Sequence, residues 1–400
     1  MRDPMYDYIV IGKGLMGAAA ARHLSAMTSN VALVGPDEPV DRYTHSGMFG
    51  SHYDEGRITR ILDPDPIWAR LAQRSIERYR DIEAQSGVSF YHEVGHLMVG
   101  PEPQTDTDFI AQVQSVAHDL NVVCETFHAN ALVEQFLNLA FEPGSVGMYQ
   151  PHTAGHVSPR SQVLAQATIA QKQGATLIPH IVRSVQPSAH AVAVTTTTGQ
   201  VIWGHKALIA TGGFSNTQEL LPRPLDISVY ARTIVFMELA AADVERLRTM
   251  PSIIYKPRHE DGHCYILPPM QYPDGKYYVK IGGHPHDPTL NSLEELQAWF
   301  KGRGYAETGE HLAAKLRSVV RNLNPVSIQT EACVTTSTPS AQIYADRIDG
   351  GRVGILAGGN GSSAKSADEI GRLGALMISH DEWVYDLDAD NFRVQFSPAA

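Results

Sequence analysis

Cysteine is scarce in this chain: three in 400 residues, Cys124, Cys264 and Cys333, with no Cys-x-x-Cys spacing. An odd count without paired spacing argues against a disulfide framework and against thiolate zinc sites, and it points to a reducing compartment. Basic residues are outnumbered, 32 Lys and Arg against 43 Asp and Glu, a formal charge of −11. With no basic run either, a nucleic-acid backbone is not expected as the main partner. Nor does the chain contain an uninterrupted apolar run of the ~18 residues that a membrane-spanning helix needs. Its start, Met-Arg-Asp-Pro, leads directly into a strand without a signal core, and its end, Phe-Ser-Pro-Ala-Ala, carries no peroxisomal tripeptide. A soluble, cytoplasmic protein is the resulting expectation; its oligomeric state is left open, with a monomer favoured. Internal repeats and low-complexity tracts are absent as well.

What is present is a globular composition, 43% apolar, in a chain too long for one ordinary domain of roughly 100 to 200 residues. Near the start, the apolar run Tyr8 to Ile11 ends in Gly12-Lys13-Gly14-Leu15-Met16-Gly17, followed by the Ala-rich stretch Ala18 to Leu24. Strand, Gly-x-Gly-x-x-Gly turn and helix form the opening of a dinucleotide-binding βαβ unit. Gly12 makes the tight turn, Gly14 lets backbone approach a pyrophosphate, Gly17 allows close helix–strand packing, and the helix N-terminus faces the phosphates. The second strand, Val31 to Val34, is followed by Gly35 where this unit usually places an acidic residue for the ribose. Asp37 or Glu38 can substitute, and a solvated Pro-Asp-Glu-Pro turn accounts for them equally well.

Two later apolar strands also end in glycine: Ala207 to Ile209 running into Thr211-Gly212-Gly213, and Val353 to Ala357 running into Gly358-Gly359. Both read as parallel strands whose C-terminal ends open onto a ligand crevice. Between them the pattern changes to alternating stretches such as Lys276 to Ile281 and to helical periodicity near 291–302 and 307–321. The expected architecture is α/β. A Rossmann-type nucleotide-binding domain (1–85, 150–216 and 325–400) is interleaved with an antiparallel-sheet α+β substrate domain (86–149 and 217–324). The His pairs 152/156, 259/263 and 284/286 lack a third clustered ligand, so no metal site is expected.

Soon after the nucleotide unit comes Ser51-His52-Tyr53-Asp54-Glu55-Gly56-Arg57-Ile58-Thr59-Arg60. Its arginines are three apart, which on a helical turn would bring both onto one site, and arginine binds carboxylates in bidentate fashion. Taken alone, an Arg pair is more often a solvated face. Three further segments join it: Tyr278-Val279-Lys280-Ile281-Gly282-Gly283-His284, then Cys333-Val334-Thr335-Thr336-Ser337-Thr338-Pro339, then Gly358-Gly359-Asn360-Gly361-Ser362-Ser363-Ala364-Lys365. In order and spacing, over nearly the whole chain, they resemble the monomeric sarcosine oxidase family, whose relatives include N-methyltryptophan oxidase, pipecolate oxidase and the fructosyl amino acid oxidases.

The resemblance makes the Rossmann-type domain a glutathione-reductase-like FAD-binding domain, with FAD held by Gly12, Gly14, Leu15, Met16, Gly17, Ser51, Arg57, Gly212, Gly359, Gly361 and Lys365, and Cys333 bonded to the flavin. Thr335 stands where the family has Tyr, and Ser340-Ala341 where it has an acidic pair. It implies a substrate that is an amino acid with a secondary nitrogen, its carboxylate taken by Arg60 and Lys365 beside Gly361. It also implies that Arg57 lies against the flavin, that Lys280 activates oxygen, and that His284 and Tyr265 line the substrate pocket. The reaction implied is loss of a proton and a hydride equivalent from the amine, hydrolysis of the imine, and transfer of the electrons to O2 as hydrogen peroxide. Ser362, Ser363 and Ala364 replace larger family residues, so a substrate bulkier than sarcosine is expected. Other readings stay open. Lys280 also fits a snorkelling strand lysine, Cys333 a small buried hydrophobe, and Tyr265 and His284 packing roles. At the level of the whole chain, a flavin dehydrogenase using a carrier, a nicotinamide-dependent dehydrogenase and a non-catalytic FAD-binding protein are the alternatives.

Overall fold

The computed structural model describes residues 5–283 and 287–398. Three sheets organise it. The first has eight strands around the pair Met5–Ile11 and Val201–Ile209, which run parallel from Met5↔Trp203 to Ile11↔Ile209. Val31–Val34 and Thr176–Ile178 extend it on one side, also in parallel. On the other side Val353–Ala357 pairs in parallel with the C-terminal end of Val201–Ile209. The central strands are buried on both faces, as a parallel sheet between helices requires: Ile9, Val10, Val31, Ala32, Leu33 and Val34 are fully inaccessible. Helices Leu15–Ser25 and Ser363–Ser379 cross on one face. Their contact depends on Gly371, where a Cβ would come within 2.5 Å of the Ala19 Cβ.

The second sheet also has eight strands. Its order is Ser327–Ser337, Ser228–Glu238, Tyr277–Gly282, Cys264–Gln271, Ser252–Tyr255, His96–Pro101, Ser145–Gln150 and Glu125–His128. All neighbours are antiparallel except Ser252–Tyr255 with His96–Pro101. Helices Leu293–Lys301 and Ala306–Val319 fall where the apolar periodicity predicts them. A third, small sheet joins Arg57–Thr59, Gly155–Val157 and Tyr91–His92.

Two sequence expectations change here. The division at 325 assigns Ser327–Ser337 to the nucleotide domain. That strand instead pairs along its whole length with Ser228–Glu238, from Ser228↔Ser337 to Glu238↔Ser327, and so belongs to the second sheet. Arg57 and Arg60, in turn, are not on a helical turn. Arg57 opens the strand Arg57–Thr59, where residues three apart point to opposite faces. Among the described residues no helix is long and apolar enough to cross a membrane, and no group of His, Cys, Asp or Glu is placed to hold a metal ion.

Candidate functional site

The glycine fingerprint is built as its spacing predicts. Gly12 adopts φ +108°, open to glycine but strained for other residues. A Cβ on Gly17 would overlap the Gly12 carbonyl oxygen, so helix and turn close on each other only because residue 17 is glycine, while a Cβ on Gly12 would meet the Ala210 carbonyl oxygen at 2.3 Å. Gly14 is the helix N-cap with no side-chain capping bond, which leaves the first-turn N–H groups facing a cavity open to solvent. Gly12, Gly14, Leu15, Met16, Ser51 and Gly212 line that cavity together with Thr211, Val334 and Ser363. A Cβ on Gly14 would have only His52 within ordinary contact distance, and one on Gly212 would meet nothing. The cradle therefore has the space, the exposed N–H groups and the apolar walls that an adenine dinucleotide needs.

The glycine in place of the acidic residue also has a cause. A Cβ on Gly35 would lie 2.6 Å from the Lys13 backbone nitrogen, so no side chain fits there. Neither nearby acid lines the cradle: Asp37 is paired with Lys13, and Glu38 with Arg160 at 2.7 Å.

Cys333 and Arg57 line a second cavity, next to the first and sharing Ser51, Phe49, Gly50 and Tyr53 with it. An Arg57 Nη donates to the Cys333 sulfur at 3.4 Å and to the Ser51 carbonyl at 2.7 Å. Behind Arg57 lies a buried cluster. Lys280, with no exposed surface, donates to the Asp54 carboxylate and to the Gly56 carbonyl at 2.9 Å. Arg57 pairs with the same carboxylate oxygen of Asp54, and the Tyr272 hydroxyl donates to its other oxygen at 2.9 Å. Burial would raise the Asp54 carboxyl, but the charges of Lys280 and Arg57 outweigh it and hold the group well below the usual carboxylate range. Burial, then the Arg57 charge, push the Lys280 ammonium down to about 8 against the pull of Asp54. Burial raises the Tyr265 hydroxyl above the ordinary range, against the nearby Arg57 charge.

Arg60 and Lys365 are brought together elsewhere. Lys365 is 3% exposed; its ammonium lies 3.0 Å from the Asp63 carboxylate and donates to the Trp68 carbonyl at 3.1 Å. Arg60 binds the same Asp63 oxygen at 2.8 Å, and its buried Nε has no hydrogen-bond partner. Burial pushes Lys365 down to about 8, against the pull of Asp63. The four cations expected to converge on one pocket thus form two clusters, each with an arginine, a lysine and an aspartate. Neither Arg60 nor Lys365 lines either cavity.

The glycine-rich segment before Lys365 is strapped to the one after Cys333. The Gly359 N–H donates to the Thr336 hydroxyl at 2.9 Å, the Asn360 N–H to the Thr336 carbonyl at 2.8 Å, and the Thr338 N–H to the Asn360 side chain at 2.9 Å. Gly358 and Gly361 take positive φ, +82° and +69°, to make the turn. Thr336 and Thr338, read in the sequence only as motif letters, are therefore what orders the loop bearing Gly359 and Gly361. His284 lies outside the described residues. Sequence reasoning gave no role to Asp54, Asp63 or Tyr272, which bond to the expected site residues or to one another. A signal existed: Asp54, Arg57, Arg60 and Asp63 stand three apart in series, an acid three positions outside each arginine.

With this geometry in place the comparisons are decisive. Residues 7–377 match the family described as FAD dependent oxidoreductase. The chain belongs to that family. It is similar to the monomeric sarcosine oxidase of Bacillus sp. (strain NS-129), 22% identical over 97% of this chain and 98% of that one. Similarity to the N-methyl-L-tryptophan oxidase of Yersinia pestis (strain Pestoides F) is 23% over 96% and 98%. Among solved structures, the open form of NikD, an unusual amino acid oxidase essential for nikkomycin biosynthesis, superposes with a TM-score of 0.78 at 21% identity, over 99% of this chain and 98% of that one. The shared fold is the FAD-binding α/β architecture with a second, mixed sheet. This FAD-dependent oxidoreductase is thus similar to enzymes that oxidise amines.

Proposed function

We propose that this oxidoreductase converts a secondary amino acid, N-alkyl or cyclic, to an imine that hydrolyses in water, with O2 reduced to hydrogen peroxide. The observation that carries the reading is the buried Lys280–Asp54–Arg57 cluster beside Cys333, a fixed positive field of the kind that stabilises developing negative charge. FAD, when bound, supplies the two-electron acceptor. Gly12, Gly14, Gly17, Ser51 and Gly212 would hold it, with Cys333 as the point of covalent attachment. The Arg57 guanidinium donates to the Cys333 sulfur and both line the same cavity, which supports that role.

Arg60 and Lys365 are the groups for the substrate carboxylate. Their cluster keeps a net positive charge after Asp63, and Arg60 Nε is a free donor. Tyr265 and His284 would orient the amine. Ser362, Ser363 and Ala364 leave room for a substrate larger than sarcosine. The test is an anaerobic panel of N-alkyl and cyclic amino acids followed by peroxide determination. Flavin bleaching with KM falling from N-methylglycine to larger substrates, and one peroxide per turnover, are expected. A clear preference for sarcosine would remove the size argument. One observation favours a second reading, a dehydrogenase serving a carrier: Asp54 offsets part of the charge that oxygen activation needs. Bleaching without peroxide would select it.

A further inference from the structure

We infer that Asp54 is a positioning residue for the oxidative half of the reaction: it keeps Lys280 as an ammonium, aimed beside Arg57, so that the pair presents a net single positive charge. The inference rests on the proposed reading of Lys280 as the oxygen-activating group, and it concerns a residue given no role by the sequence reading.

The geometry carries it. Lys280 stands on the strand Tyr277–Gly282, fully buried, between the face of Phe236 on the neighbouring strand, 5.6 Å from its ammonium, and the loop ahead of Arg57–Thr59. A lysine so placed without a counter-charge gives up its proton, because burial penalises the charged form. Asp54 is the carboxylate bonded to it, and is itself fixed by Arg57, by the Tyr272 hydroxyl and by its place in the loop. The groups facing Lys280 are Asp54, Arg57 and the Gly56 carbonyl from the loop, Phe236 from one neighbouring strand and Cys333 from the strand beyond it. Tyr265 faces Arg57, and Tyr272 and Glu55 act on the cluster through Asp54 and Tyr272. Arg57 and Cys333 do not favour the ammonium in the way Asp54 does: the arginine repels it, and the thiol attracts it only as a thiolate. The aspartate thus gives up one unit of charge in order to retain the mobile one.

Burial with this partner sets Lys280 at about 8. Loss of the Asp54 charge removes an attraction, so the titration moves to lower pH; the sign is fixed because Asp54 raises the lysine value. A shift of one unit or more is expected, which is about a tenfold fall in ammonium population on the alkaline side.

The experiment uses the FAD-loaded protein with ε-15N-lysine. The Lys280 signal, assigned by its loss in Lys280→Met, is titrated in the wild type, Asp54→Asn, Asp54→Glu and Tyr272→Phe. In parallel, stopped flow follows reoxidation of the photoreduced protein by O2 across the same pH range. The expected result is a midpoint near 8 in the wild type. It should lie at least one unit lower in Asp54→Asn and within half a unit of wild type in Asp54→Glu and Tyr272→Phe, with the alkaline limb of reoxidation moving in step. An unmoved midpoint in Asp54→Asn overturns the inference whatever the acceptor. If that variant does not fold, a drop of a full unit in Asp54→Glu, which keeps the charge, overturns it equally. If the midpoints shift as expected but the reduced protein reacts no faster with O2 than free reduced flavin, the inference about Asp54 stands and the oxidase reading falls.

Discussion

Two glycines of the fingerprint separate the requirement of the fold from the requirement of the cofactor. A Cβ on Gly17 would overlap the Gly12 carbonyl oxygen, and both are backbone, so neither side can rotate away. The turn and the helix Leu15–Ser25 must part by about 1 Å, and over-packing of this kind costs ~1–3 kcal/mol, at the upper end where no side chain can yield. The same helix packs on Ser363–Ser379 through Gly371, which transmits the displacement. Gly14 is different. Its backbone is extended, φ −91° and ψ −169°, which alanine adopts freely, and a Cβ there would sit 3.6 Å from the nearest His52 atom. Gly14→Ala should therefore leave stability unchanged or raise it by about 0.4–1 kcal/mol through the unfolded chain. If the pyrophosphate lies against Gly14, the added methyl should still weaken FAD at least tenfold, about 1.4 kcal/mol. Urea unfolding of the apoproteins and flavin-fluorescence titration, both in a Cys333→Ser background so that no covalent attachment masks affinity, measure the two quantities. Gly17→Ala should lose both stability and FAD, Gly14→Ala only FAD. FAD affinity within about twofold of the parent in Gly14→Ala would refute the placement of the phosphates.

Three further outcomes follow from named groups. Asp63→Asn leaves Arg60 and Lys365 buried without their shared carboxylate and should cost ~3–5 kcal/mol in urea unfolding; a loss under 1 kcal/mol would mean that the two cations find other partners. Burial depresses His156 to about 3 and His96 well below its ordinary value, so the unfolded chain takes up protons near 6.5 while the folded one does not. Stability should be full above that pH and fall by roughly 1 kcal/mol per histidine over the first unit below it, a slope that His156→Gln should reduce. Acid precipitation should carry yellow flavin into the pellet, on a peptide containing Cys333, and Cys333→Ser should release it to the supernatant; free FAD from the parent protein would remove the covalent proposal while leaving the cradle intact.

The nucleotide cradle was legible because the turn itself demands glycine at a fixed spacing: a Cβ on Gly17 is excluded by the Gly12 carbonyl oxygen five residues before it, and Gly12 takes a positive φ. The contacts that close on Gly12 and Gly35, from the Ala210 and Lys13 backbones, come from more distant parts of the chain and left no mark in the spacing. The strand Ser327–Ser337 was misassigned because its pairing with Ser228–Glu238 spans some ninety residues and leaves no periodic trace in either segment. The two arginines were read on one face because a spacing of three fits a helix, and only the pairing of Arg57–Thr59 with Gly155–Val157 shows that it is a strand.

That change of local structure alters the electrostatics of the whole site. In a helix, Arg57 and Arg60 would add their fields on a single pocket; in a strand they diverge, and each meets a lysine from a distant part of the chain. A buried arginine–lysine pair is self-repelling, and burial already disfavours both charges. Each pair is viable only with a carboxylate inserted, and the chain supplies both within ten residues, Asp54 before the strand and Asp63 after it. Oxidation of a zwitterion needs positive charge that persists, and an unpartnered buried lysine would lose its proton. The aspartates, which lower the total charge of each cluster, are therefore what makes the remaining unit dependable near neutral pH.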